Sequence, residues 1–339
     1  MNQRRPTSFD IAALAGVSQP TVSRALSGNP SVSDETRAKV LAAAKELNYT
    51  VDKNASGLRR QQSRTIALLF FEDPTPDDTL INPFYLSMVG SLTRACAKAG
   101  YDLLISFQQL SSDWHVDYED SRKADGIILL GYGDYLEAMP RLEQLVGQRT
   151  HFVRWGAARA GQIGTTVGSD NEQGGYLAGR HLVDQGRKRI AFLGNATPAE
   201  PEYLERWTGF ARALAERGID SGDALKRSAE ASEESGRRAV EQMLADGLHF
   251  DAIFAINDLA AIGAMRALHE AGKRIPEDVA IVGFDDLAAA RLSEPALTTV
   301  AQDTRRAGEA LIETLVAKIE ERAPDSVTLP VTLVVRQSS

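Results

Sequence analysis

The spacing of apolar residues changes character along the chain. Between Thr7 and Asn48 apolar side chains recur every three to four positions, at Ile11, Leu14, Val17, Val22, Leu26, Val40, Leu41, Ala44 and Leu47. That period predicts three short helices sharing one small core. Thr7 with Asp10, Ser18 ahead of "QPTVSRAL", and Ser33 ahead of "DETRAKVLAAAKELNY" supply the start signals. Gly16 falls between the first two helices, where a tight turn needs a positive φ.

The following stretch, "TVDKNASGLRRQQSRT", has little to bury and reads as a linker. Beyond it short apolar runs alternate with amphipathic helical patterns. The runs are "TIALLF" (65–70), "YDLLISF" (101–107), "DGIILLG" (125–131), "HFVRWG" (151–156), "RIAFLG" (189–194), "AIFAIN" (252–257) and "VAIVGF" (279–284). Strand and helix in alternation predict parallel sheets covered by helices on both faces. Two units of about six strands fit the length better than one. "LTTVAQ" (297–302), "RAGEALIETLVAKIEE" and "VTLVV" (331–335) are too short for a third unit and are expected to return the chain through both lobes, making a hinge and a cleft.

Charge sharpens this division. Residues 1–64 hold ten Lys and Arg against five Asp and Glu, whereas the rest of the 339-residue chain holds 28 against 41. A basic head on an acidic body is the pattern expected when only the head meets a polyanion. The single cysteine, Cys96, sits among Leu92, Ala95 and Ala99 and reads as a small buried hydrophobe. One cysteine, no secretory signal and no run long enough to span a membrane lead to the expectation of a soluble, cytoplasmic protein.

The head offers the most specific chemistry. "DIAALAGVSQPTVSRAL" has the layout of a helix-turn-helix, whose second helix presents its first side chains to base edges and its free N–H groups to phosphates. In that layout Gln19 can pair with a base edge, Pro20 can face a thymine methyl and Arg24 can fork onto guanine. Thr7, Ser18, Thr21 and Ser23 complete the candidate DNA contacts, with Thr21 and Ser23 suited to phosphates. A plain three-helix bundle with a solvated polar face is the competing reading. Enzyme chemistry finds little support: "FFEDPTPDD" stands where a glycine-rich phosphate loop would follow the first strand, no nucleophile elbow or metal-spaced His/Cys cluster is present, and neither catalytic residues, a metal nor a cofactor is expected.

"TSFDIAALAGVSQPTVSRALSGNPSVSDETRAKVLAAAKELNY" resembles the DNA-binding head of the LacI/GalR family of bacterial transcriptional regulators, and the resemblance runs almost to the chain's end. "NPFYLSMVGSLTRACAKAGYDLLI", "DNEQGGYLAGRHLVDQGRKRIAFLG", "RWTGFARAL", "NDLAAIGAMRALHEAGKRIPEDVAIVGFDD" and "PALTTVAQD" are similar to that family's core. It implies an α plus α/β architecture: a helix-turn-helix head (1–49), a hinge helix (50–64), and a two-lobed core of doubly wound parallel sheets (65–339) that resembles periplasmic sugar-binding proteins. The first lobe is expected over about 65–162 and 292–323, the second over about 163–291 and 324–339.

The resemblance further implies a homodimeric repressor on a near-palindromic operator, released by a small molecule in the cleft. Leu58 matches the leucine that wedges into the minor groove, although Val51, Asp52 and Ser56 depart from the family's hinge pattern. In the cleft Phe84, Arg206, Asn257 and Asp285 match effector contacts, with Trp155, Asp170 and Asn171 as further candidates. Forked donors, carboxylate acceptors and an aromatic face suit a mono- or disaccharide. A purine or other small molecule acting as co-repressor is the alternative.

Overall fold

The computed structural model describes residues 6–49, 62–70, 81–108, 113–131, 133–159, 161–220, 222 and 225–339. The chain divides into two compact units, Met1–Ser63 and Arg64–Ser339. Leu58, Val51, Asp52 and Ser56 lie outside the described residues, as does most of the acidic insert that follows the first strand.

The head consists of α1 (Ser8–Ala15), α2 (Gln19–Leu26) and α3 (Asp34–Glu46). Gly16 ends α1 in the left-handed region at φ 66°, which lets the chain turn into α2 after two residues. Ile11, Val22, Ala25, Val32, Val40, Ala43 and Ala44 form the buried core. Leu14 and Leu41, expected inside from their spacing, are 46% and 51% exposed. On helices this short the close-packed stripe is narrow, and Val32 from the connecting loop and Ala43 fill the centre instead.

The larger unit begins with β1 (Thr65–Phe70), α4 (Pro83–Ala99), β2 (Asp102–Phe107), a π-helical turn (His115–Asp120), β3 (Gly126–Leu130), α5 (Tyr135–Gly147), β4 (Phe152–Trp155) and β5 (Thr165–Ser169). It continues with α6 (Asn171–Asp184), β6 (Ile190–Leu193), α7 (Pro201–Ala215), β7 (Lys226–Arg227), α8 (Glu233–Ala245), β8 (Ala252–Ala255), α9 (Asp258–Glu270), β9 (Ala280–Asp285), α10 (Ala288–Leu292), β10 (Thr298–Gln302), α11 (Thr304–Ile319), β11 (Val327–Leu329) and β12 (Val331–Val334).

These strands make two six-stranded sheets, ordered β2-β1-β3-β4-β5-β11 and β7-β6-β8-β9-β10-β12. The orders repeat one pattern, and every pairing is parallel except β12 against β10. Alternation along β1 explains the double cover. Ile66, Leu68 and Phe70 face one cluster with α4 and α11, whereas Ala67 and Leu69 face a second with α5 and the π turn. Cys96 lies in the first of these, 1% exposed, and burial pushes its thiol up to about 12.

The lobe boundaries differ from those expected. β5 pairs with β4, so the first lobe extends to Ser169 rather than stopping near residue 162. β10 pairs with β9 in the second sheet although residues 292–323 were assigned to the first lobe, and β11 pairs with β5 in the first although 324–339 were assigned to the second. β5 reads "TTVGS", too polar to register as a buried run, and β11 has three residues. The chain therefore crosses between lobes at Asp170, Asp303 and Pro330. Asp170 and Asp303 cap the helices that follow with nearly the same backbone angles, φ −72° ψ 79° and φ −76° ψ 83°.

In the second lobe α6 and α7 approach so closely that only glycine fits at their contact. A Cβ added to Gly175 would overlap the Arg206 carbonyl, and one added to Gly209 would overlap that of Glu172. Gly175→Ala should cost about 3 kcal/mol or more of core stability by forcing these backbones apart. Urea denaturation followed by tryptophan emission checks it, and a loss below 1 kcal/mol would show that the helices slide at no cost.

Candidate nucleic-acid interface and ligand cleft

In the head the second helix opens as a DNA-facing helix should, with Ser18 at the N-cap in extended conformation and Pro20 in the first turn. Ser18, Pro20 and Arg24 are exposed, whereas Gln19, Thr21 and Ser23 are half-buried. The Ser18 and Thr21 hydroxyls lie 2.8 Å apart, and the Gln19 amide donates to the Ser8 hydroxyl on α1 at 3.2 Å. Gln19 is thereby tied to α1, which fixes its direction. The Thr7 N–H and hydroxyl both donate to one oxygen of Asp10 at 2.7 Å, fastening the start of α1. Sequence reasoning passed over Arg37. Its guanidinium donates to the carbonyls of Ala25 (3.2 Å), Asn29 (2.8 Å) and Val32 (3.4 Å), pinning the loop after α2 to α3.

In the core, ligand-binding residues are expected beyond the carboxyl ends of parallel strands. Phe84 begins α4 after β1, and Trp155 ends β4; both are nearly buried with ring centres 5.9 Å apart, and Tyr85 lies 5.6 Å from Phe84. The second lobe brings Arg206, Asn257 and Asp285 to its own strand ends. Arg206, 5% exposed, donates through Nε to Asn171 Oδ1 at 2.9 Å and through Nη1 to the Ile256 carbonyl. Its guanidinium stacks 3.6 Å from the centre of the Phe284 ring and 5.3 Å from that of Tyr203.

Asp285 closes β9 at φ 112°, a strained value for a residue with a side chain. Burial pushes its carboxyl up to about 6, against the opposing pull of Arg206 and the amide of Gln302, which donates at 2.6 Å. It is therefore mostly ionised at neutral pH and able to accept hydroxyl protons from a ligand. Asn257 caps α9, accepting from the Ala260 N–H at 2.8 Å, and its amide donates to Ala231 at 3.3 Å. Asp170 serves as the cap at a lobe crossing, accepting from the Gln173 N–H at 2.9 Å.

Gln302 and Tyr203 are not marked in the sequence, and each reaches Asp285 or Arg206 because β10 adjoins β9 and α7 lies over the strand ends. Phe284, which ends the run "VAIVGF", gains its second role from α7, whose Arg206 stacks on it. Asp258, beside the cap residue, is fully buried; it accepts from the Leu287 N–H at 2.7 Å and the Thr299 hydroxyl at 2.5 Å. Burial, reinforced by the nearby Asp285 charge, holds its carboxyl well above the usual range. Among the described residues no group of three or more His, Cys, Asp or Glu side chains is placed to hold a metal ion, and no helix is long and apolar enough to cross a membrane.

Gln302→Leu should raise the Asp285 carboxyl further, because it removes a donor to the charged form. Carboxyl-carbon NMR titration checks this, and an unmoved Asp285 midpoint would mean that Gln302 does not stabilise the carboxylate.

Comparison with known proteins matches both units. Residues 9–52 match the model of bacterial regulatory proteins of the lacI family, and residues 180–339 match a periplasmic binding protein-like domain. The chain is 33% identical over 345 residues to the HTH-type transcriptional repressor PurR of Erwinia tasmaniensis, covering 98% of this chain and 96% of that protein. Similar structures include a CelR–cellobiose complex (TM-score 0.73, 30% identity, 99% and 100% of the two chains) and the lac repressor dimer bound to operator and the anti-inducer ONPF (TM-score 0.84, 27% identity, 99% of each). With a matching head and relatives that align over almost its whole length, the chain belongs to the lacI family of bacterial regulatory proteins.

Proposed function

We propose that this chain is a cytoplasmic transcriptional repressor without enzymatic activity, which binds an operator through α2 and is released by a carbohydrate in the cleft of its core. The observation that carries the effector reading is the buried pair of Arg206 and Asp285 beside aromatic rings, a forked donor and a carboxylate acceptor of the kind vicinal hydroxyls require. Similarity to a regulator crystallised with cellobiose supports it. The aromatic group of Phe84, Tyr85 and Trp155 favours a second reading in which a flat purine acts as co-repressor.

On DNA, Gln19, Pro20 and Arg24 read bases while Ser18, Thr21, Ser23 and Thr7 engage the backbone. Leu58 takes the minor groove of the operator centre. Two copies act together. β2 is an edge strand with Leu104 and Ile105 exposed on its opposite faces, and Leu86 on the adjoining α4 is 49% exposed, so this edge supplies apolar surface for a homodimer. The lac repressor structure, a dimer on its operator, supports that arrangement.

Gel-shift of the full chain on its own upstream DNA, with panels of mono- and disaccharides and of purine bases, tests the reading. Release by one sugar and not its epimers supports it, whereas tightening by a purine establishes the second reading instead. Gln19→Ala should lose about 1–3 kcal/mol of discrimination at one operator position; equal weakening on all sequences would remove Gln19 from base reading. Arg206→Ala should weaken effector response by about a hundredfold or more while leaving operator binding intact, and loss of both would assign Arg206 to folding.

A further inference from the structure

The two lobes touch through the opening of α7. The Ala199 carbonyl, just before this helix, accepts from the Tyr135 N–H of the first lobe at 2.7 Å. Glu202 accepts from the Ala157 N–H at 2.7 Å, and Glu205 pairs with Arg159 at 3.1 Å, both partners lying in the first-lobe loop between β4 and β5. Three contacts from seven consecutive residues thus bridge the cleft, and the next residue is Arg206. None of the three needs a ligand.

We propose that the opening turns of α7 form a clasp that holds the lobes closed, and that closing the clasp takes up protons. Glu205 has a side chain only 13% exposed. Burial pushes its carboxyl up to about 7; Arg159 and the Asn171 amide oppose this, whereas Glu202 and Asp170 reinforce it. Glu200 behaves alike. Burial pushes it to about 7, with Asn195 opposing and Glu202, Asp134 and Glu230 adding to the rise. Asp285, facing Arg206 and Gln302, is raised in the same direction.

On this proposal, parting the lobes removes the first-lobe loop that covers Glu205, lets water reach it and returns it toward the ordinary carboxylate range. A carboxyl whose pKa is higher in the closed form binds a proton on closing, so the closed form is favoured at low pH and loses that advantage as pH rises through about 7. For Glu205 alone the ratio of closed to open forms should fall by up to about tenfold between about pH 6 and 8. This inference rests on reading the core as two movable lobes, and not on which effector binds.

The test uses the ligand-free full chain with spin labels at Glu143→Cys and Lys273→Cys, one on each lobe, and measures their separation by double electron–electron resonance at low and high pH. The long-distance population should grow as pH rises. Glu202→Ala should increase it severalfold at both pH values, Arg159→Ala should increase it at the higher pH, where Glu205 is ionised and the pair with Arg159 is made, and Glu205→Gln should flatten the pH response. Arg212→Ala, which breaks a pair with Glu172 inside the second lobe, serves as the control. The clasp is overturned if the separation ignores pH, or if Arg159→Ala and Glu202→Ala behave like the control. A chain that failed to bind operator yet showed these shifts would retain the clasp and lose only the regulatory reading.

Discussion

Arg206 carries a permanent positive charge into a position where only 5% of the residue meets solvent. A guanidinium there without partners would cost several kcal/mol, so the surroundings must answer it atom by atom. Asn171 takes Nε, the Ile256 carbonyl takes Nη1, the face of Phe284 lies beneath the plane, and Asp285 supplies the opposite charge. These partners come from α6, the end of β8 and β9, so one side chain fixes the mutual placement of three elements. Asn171 is in turn aimed by its own bond to the Ser169 carbonyl at 3.0 Å. The glycines between α6 and α7 belong to the same constraint, because a wider helix spacing would carry Arg206 away from Asn171.

Burial sets the carboxylates as firmly as it sets the arginine. Asp258 and Asp285 sit at neighbouring strand ends, and the charge on Asp285 adds to the cost of ionising Asp258, so they settle differently. Asp285 keeps Arg206 and Gln302 as partners and stays at about 6, while Asp258 accepts from the Leu287 N–H and the Thr299 hydroxyl and is held much higher. The charge available to a ligand is concentrated on Asp285. Asp258 acts as a fastener, tying the loop after β9 to the start of α9 and so holding the strained φ of Asp285 in place.

What could be read from the chain was whatever is local. The run "TIALLF" is apolar on both of its alternating faces, which shows a strand covered on both sides, and the three head helices announce their starts in Thr7, Ser18 and Ser33. Arg206, Asn257 and Asp285 were found by resemblance, and the structure gathers all three at the strand ends of one lobe. Gln302 and Tyr203 were not legible, because their importance depends on which strand adjoins which and where α7 crosses the sheet. The lobe boundaries failed for the same reason: "TTVGS" is a strand only because β4 and β11 flank it. Nothing in the sequence singles out Glu205, and only the loop arriving from the other lobe makes it part of an interface.

Three crossings and one clasp together define what a ligand must do. A molecule that engaged only Arg206, Asn257 and Asp285 would bind the second lobe equally well whether the lobes were open or closed, and equal affinity for two states shifts neither. Coupling requires a contact that exists in one state alone. The ring pair of Phe84 and Trp155 in the first lobe offers one such contact, since a ligand reaching it from Asp285 would span the cleft. The clasp offers another, because Glu205 adjoins Arg206 and a ligand that draws on the guanidinium acts directly beside the bond to Arg159. If the ligand is held at Arg206 as proposed, the same helix turn meets both the ligand and the opposing lobe, the shortest route by which occupancy of the cleft becomes a change in lobe position.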